Sequence, residues 1–219
     1  MAIIECSAIL FDLDGVLVNS IESVERQWKK FAARHKLDPE HVIRTAHGHR
    51  TVETVHILMP HLDAAAEAAI VERNEIEDTE GLVAIEGAVE LVNSLPRDAW
   101  AVVTSGTRAL ATKRLAAAGL PSPPKMVPAD EVTRGKPDPE PYLKGAKLVG
   151  VDPQTCLVFE DAASGIRAAK AAGMRVYGIP GTHEASQLGQ ADGLVRSLRE
   201  VRARVNGNGL VVEVETLNS

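Results

Sequence analysis

Ala8-Ile9-Leu10-Phe11-Asp12-Leu13-Asp14-Gly15 is the stretch on which the reading of this chain turns. Four apolar residues without alternation make a strand buried on both faces, and such strands belong to parallel sheets covered by helices. The strand runs out at two carboxylates one residue apart, with Gly15 able to take a sharp exit. Polar groups at that end face the crevice where open α/β sheets bind their ligands.

Working outward, similar runs recur at Trp100-Ala101-Val102-Val103, Thr155-Cys156-Leu157-Val158-Phe159 and Arg175-Val176-Tyr177-Gly178-Ile179. Helical spacing fills Val89 to Leu95, Arg108 to Ala118, Pro141 to Val149 and Gly165 to Ala172, with Gly119 and Gly173 placed as stops. The alternation predicts an α/β fold, a Rossmann-like parallel sheet with helices on both faces. From about Val18 to Ala84 the rhythm changes. Ile21, Val24, Trp28 and Phe31 fall at helical spacing, and Leu62 to Glu77 is Ala- and Glu-rich, with no strand-like run between. This predicts a small helical cap domain at 18–84, inserted after the first strand of a core made of 1–17 and 85–219. Past Arg196 the expectation is a short basic helix, a Gly207-Asn208-Gly209 turn and a strand over Leu210 to Val214.

The 219 residues allow one core plus a small accessory domain, and 45% hydrophobic with 25% charged residues is ordinary globular usage. A net charge of −6 argues against a broad nucleic-acid or anionic-membrane surface, and nothing in the composition calls for an obligate protein partner. An anionic substrate would then need a local cation. Cys6 and Cys156 sit in apolar runs, too few to staple a secreted scaffold, and no stretch approaches the ~20 apolar residues of a membrane span. The expected compartment is the cytoplasm.

Alone, Asp12 and Asp14 read equally well as loop carboxylates bound to nearby amides. Three further polar stops fall on the same rim. Thr104-Ser105-Gly106 offers hydroxyls and amides at a helix start, an anion seat, although any one of these hydroxyls alone is more simply a helix cap. Gly135-Lys136-Pro137-Asp138-Pro139 holds a lysine in a stiff loop, where in isolation it would be a surface charge. Glu160-Asp161 ends the most apolar strand, and two carboxylates there are costly unless a cation meets them. Hard oxygen ligands from Asp12 and Asp161 suit Mg²⁺, with amides, a hydroxyl and Lys136 around a phosphate.

The order Asp-x-Asp-Gly, Thr-Ser-Gly, Lys-Pro and Glu-Asp-Ala-x-x-Gly-Ile resembles the haloacid dehalogenase superfamily of phosphatases from about Ile9 to Ile179. The resemblance implies a small phosphate ester as substrate, Asp12 as nucleophile forming an aspartyl-phosphate, and Asp14 as general acid and base. It also implies Mg²⁺ held by Asp12, the Asp14 carbonyl and Asp161, with Glu160 acting on the metal's waters. Thr104, Ser105, Gly106 and Lys136 would hold the phosphoryl group. Within the superfamily, His41-Val42-Ile43 and His47-Gly48-His49-Arg50-Thr51 resemble the glycerol-3-phosphate and 2-deoxyglucose-6-phosphate phosphatases. That likeness implies a sugar or polyol phosphate, with His47, Gly48 and Arg50 facing it from the cap. A phosphosugar mutase of the β-phosphoglucomutase type uses the same constellation, and a catalytically silent binding protein could share the scaffold. Asn19 stands where many relatives carry an acidic residue, and the proline usual near Glu86-Gly87 is missing.

Overall fold

Ala2–Cys6 forms strand β1, and one residue later Ala8–Phe11 forms the fully buried β2. The computed structural model describes residues 1–207 and 209–217. After Gly15 the chain makes a two-residue strand, β3 (Val18–Asn19), then four helices: α1 (Ile21–His35), α2 (Pro39–Ala46), α3 (Thr51–Leu58) and α4 (Ala64–Glu77). Asp38 and Asp63 start α2 and α4 by accepting hydrogen bonds from amides in the first turn, and Pro39 fits the first turn because its missing N–H has no helical partner there. Strand β4 (Val83–Ala84) returns antiparallel to β3, so both ends of the helical insert pass through one short ribbon.

The rest alternates: α5 (Ala88–Ser94), β5 (Trp100–Val103), α6 (Arg108–Ala117), β6 (Met126–Val127), α7 (Glu140–Val149), β7 (Cys156–Glu160), α8 (Ala163–Ala171), β8 (Arg175–Gly178) and β9 (Gly193–Leu194). These five strands and β2 form one parallel sheet in the order β6-β5-β2-β7-β8-β9. Its faces divide cleanly. Ile9, Phe11, Val102, Leu157 and Phe159 pack toward α5 and α6, while Ala8, Leu10, Val103 and Val158 pack toward α7 and α8. Phe11 stacks on Phe159 with ring centroids 5.8 Å apart. The expectation of a parallel α/β core holds. The two-residue strands β6 and β9 were not foreseen, being too short to leave an apolar run.

The insert has an apolar cluster of its own, centred on Trp28, Phe31, Val42 and Val55. Arg26 clamps its exit by donating two hydrogen bonds to Asp78, at 2.9 and 2.8 Å. The expected absence of strands in 18–84 needs correction, because β3 and β4 bracket the helices.

Beyond Arg196 the basic helix does not form. A single turn at Leu198–Glu200 leads into strand β10 (Val201–Asn206), which pairs with β11 (Gly209–Val214). Val201 and Ala203 alternate with Arg202 and Arg204, so one face meets the core and the other meets solvent. β11 also pairs with β1, giving a three-stranded antiparallel sheet against the α5 side of the core. The strand expected over Leu210 to Val214 is present, and Asn208 of the expected turn lies outside the described residues.

Candidate active site

The carboxyl ends of the adjacent strands β5, β2 and β7 bring Thr104, Asp12 and Glu160-Asp161 to one rim. Lys136 reaches it from the loop before α7 and is itself buried. Its ammonium donates to Asp12 Oδ1 at 2.6 Å, to Glu160 Oε1 at 2.7 Å and to the Val103 carbonyl at 3.0 Å. The Tyr142 ring lies 5.0 Å from Lys136 Nζ, and the Tyr142 hydroxyl donates to Glu160 Oε1 at 2.9 Å. Glu160 Oε2 accepts from the Asp161 and Ala162 amides, 2.9 Å each, at the start of α8. Gly165 makes room for this, since a Cβ there would collide with the Glu160 carboxylate.

Asp12, Glu160 and Asp161 each bring an oxygen within 4.8 Å of one another, and all three are buried. Burial pushes the Asp12 carboxyl up to about 7, Glu160 and Asp14 push the same way, and Lys136 only partly opposes them. Burial, Glu160 and Asp12 drive Asp161 well above the ordinary carboxylate range. Burial disfavours the Lys136 charge, yet Asp12 and Glu160 outweigh that and hold its pKa above the ordinary value. One ammonium therefore faces three carboxylates, an imbalance that a hard divalent cation with oxygen ligands relieves. Glu160 already has four hydrogen-bond partners, which fill its lone-pair sites, so the free oxygens of the cluster belong to Asp12 and Asp161. Gly15, with φ +78°, lets the chain turn where any Cβ would strike the Asp161 carboxylate.

Above the rim lies a cavity of about 100 Å³, closed on the far side by the helical insert. Ser105 and Gly106 line it, as do His47 and Gly48 from the insert. Thr104 sits behind, its hydroxyl accepting from the Gly106 amide at 3.0 Å, so that amide is occupied rather than open. Ser164 Oγ donates to the Gly48 carbonyl at 3.0 Å, tying the insert to α8. His47 packs against His183 with ring centroids 5.6 Å apart, and burial together with His183 lowers its pKa.

Arg50 is not in the cavity. Its Nε donates to Glu53 Oε1 at 2.9 Å and its Nη1 to the Val132 carbonyl at 3.3 Å, so it ties α3 to the loop before Gly135.

Sequence reasoning missed Ser20, Glu75 and Arg114. Ser20 Oγ donates to Asp14 Oδ1 at 2.6 Å, and Arg114 Nη1 donates to Asp14 Oδ2 at 2.8 Å. Arg114 comes from α6 and Glu75 from α4 of the insert, with Arg114 Nη2 3.5 Å from Glu75 Oε1. Burial pushes Glu75 up to about 7, partly countered by Arg114. The available signal was spacing: Leu110, Ala111 and Leu115 mark the buried face of α6, and Arg114 falls among them.

A parallel sheet with acidic groups and a buried lysine on its carboxyl rim, roofed by inserted helices, defines a Rossmann-like hydrolase core. The chain belongs to the haloacid dehalogenase-like hydrolases, whose family model matches residues 6–173. It is 40% identical to hexitol phosphatase A of Escherichia coli over 94% of this chain and 98% of that protein. It is 36% identical to glycerol-1-phosphate phosphohydrolase 2 of Saccharomyces cerevisiae, covering 91% of this chain and 85% of that one. A hydrolase from Pseudomonas syringae superimposes with a TM-score of 0.79 at 26% identity, covering 88% and 94% of the two chains.

Proposed function

We propose that this protein is a Mg²⁺-dependent phosphatase acting on a small sugar or polyol phosphate through an aspartyl-phosphate on Asp12, with residues 18–84 serving as its cap. The observation that carries this reading is Lys136 bridging Asp12 and Glu160 beside Asp161, an acidic centre with one fixed cation. The relatives named hexitol phosphatase and glycerol-1-phosphate phosphohydrolase support the substrate class.

Asp12, the Asp14 carbonyl and Asp161 would hold the metal, whose charge offsets the repulsion between a carboxylate nucleophile and an anionic phosphate. An Asp12 oxygen attacks phosphorus, and Asp14 gives a proton to the leaving alkoxide. Water then attacks the aspartyl-phosphate while Asp14 takes its proton, which restores Asp12 and releases phosphate. Ser20 and Arg114 aim the Asp14 carboxylate and suit the second half of that cycle. Lys136 and Ser105 hold phosphoryl oxygens, and Glu160 keeps Lys136 in place. The insert excludes water.

The test is phosphate release from a panel of polyol and sugar phosphates, with Mg²⁺ and with chelator. Release with Mg²⁺ alone is expected. Asp12→Asn should lower it by about 10³-fold or more with an unchanged circular dichroism spectrum, since the nucleophile goes but little volume does. Turnover by a folded Asp12→Asn protein would sink the covalent route.

A further inference from the structure

One wall of the cavity has polar atoms that the phosphate chemistry does not use. Arg114 Nε and Nη2 are buried and find no hydrogen-bond partner among the described residues. Glu75, equally buried, stands 3.5 Å from Nη2, too far for a good hydrogen bond. Both residues line the cavity. Unpartnered buried donors are costly, so a group that satisfies them gains more than one placed in open solvent.

We propose that Glu75 and Arg114 read the hydroxyl groups of a neutral, polyhydroxylated leaving group and discriminate against one that carries a second negative charge. The inference rests on the phosphatase reading above. A hydroxyl is the group that meets both residues together, because it donates to a carboxylate and accepts from a guanidinium. The location fits the leaving group rather than the phosphate. Arg114 Nη1 already contacts Asp14, the proposed donor to the leaving oxygen, so a carbon chain running from that oxygen meets Arg114 first and Glu75 next. Ile21, Val24 and Trp28 offer apolar wall for its C–H faces. The charge balance sets the selectivity. Arg114 faces two carboxylates, Asp14 and Glu75, and Lys136 is held by two others, so neither cation has charge to spare for a second anion.

The test uses the full-length protein with Mg²⁺ and three esters of equal carbon count: glycerol 1-phosphate, n-propyl phosphate and 3-phosphoglycerate. Ratios of kcat/KM cancel losses common to all three, such as altered cap closure. The wild type should prefer glycerol 1-phosphate to propyl phosphate and propyl phosphate to 3-phosphoglycerate. Glu75→Ala should cut the glycerol-to-propyl ratio about tenfold, because a hydroxyl loses its acceptor. Glu75→Gln keeps an acceptor but frees Arg114, and should raise the ratio of 3-phosphoglycerate to propyl phosphate about tenfold. Release from all three esters, with both ratios within about twofold of wild type in the variants, overturns the role of this pair and leaves the phosphatase reading standing. Release by the wild type from other members of the polyol and sugar phosphate panel but with no preference for glycerol 1-phosphate over propyl phosphate also overturns the role of the pair, whereas release from no member of that panel overturns the phosphatase reading, and this inference with it.

Discussion

The rim of the parallel sheet and the helical insert above it both keep polar groups away from water, and they do so in opposite ways. On the rim, Glu160 takes hydrogen bonds from Lys136, Tyr142 and two amides of its own chain turn, all within the core. On the insert, Glu75 has its cationic partner on α6, and the Gly48 carbonyl has its donor on α8. Glu160 is satisfied before the insert arrives. Glu75 and the Gly48 carbonyl meet these partners only where the insert touches the core, so the energetics of the cavity depend on closure in a way that Glu160 does not.

The largest break in this contrast should come from Lys136→Ala. It leaves Asp12 and Glu160 buried without their cation, and an uncompensated buried charge costs about 3–5 kcal/mol. Urea unfolding without added metal would measure the loss; a cost below about 1 kcal/mol would mean that the rim carboxylates are neutral in the folded protein. Trp28→Ala attacks the other side. Trp28 packs edge-on against Phe31 at 5.4 Å but also borders the cavity, where water can fill the gap, so a cost of about 3 kcal/mol is expected, low in the range for such truncations. Hydrogen exchange should show α1 to α4 losing protection while β2 and β7 keep theirs. Equal loss in both would make insert and core one cooperative unit.

The smallest effect is a pH dependence carried by Glu75. Its pKa rises from 4.5 to about 7 in the folded protein, so between those values the folded state keeps a proton that the unfolded state gives up. Stability from this group is therefore highest below pH 4.5 and falls as pH rises through about 7, by on the order of 3 kcal/mol in all and somewhat less between pH 5 and pH 8. Glu75→Gln should flatten that part of the curve. Thermal midpoints at pH 5 and pH 8 for both proteins measure it, and parallel curves would show that Glu75 stays ionised throughout.

The same contrast explains what could be read from the sequence. Asp12, Lys136 and Asp161 each follow an apolar strand or sit in a proline-bounded loop, so local pattern placed them on one rim. Arg114 and Glu75 are ordinary charges on Ala-rich helices, and the Arg114–Asp14 contact joins residues 100 apart. No local periodicity encodes such a pairing. Arg50 shows the converse, a local contact with Glu53 three positions away that the motif alone did not announce. In β10 the basic residues suggest a helix, but the period-two alternation of Val201, Ala203 and Val205 is the pattern of the strand that forms.

The β3–β4 ribbon has a consequence for how such a chain diversifies. Since departure and return are stitched side by side at Val18–Asn19 and Val83–Ala84, the core meets the insert as the closure of a single loop. Closure entropy grows only logarithmically, about 0.6 kcal/mol per doubling of length. A longer, shorter or reshaped set of helices can be exchanged between those two staves at little thermodynamic cost, with the strand register beneath left untouched.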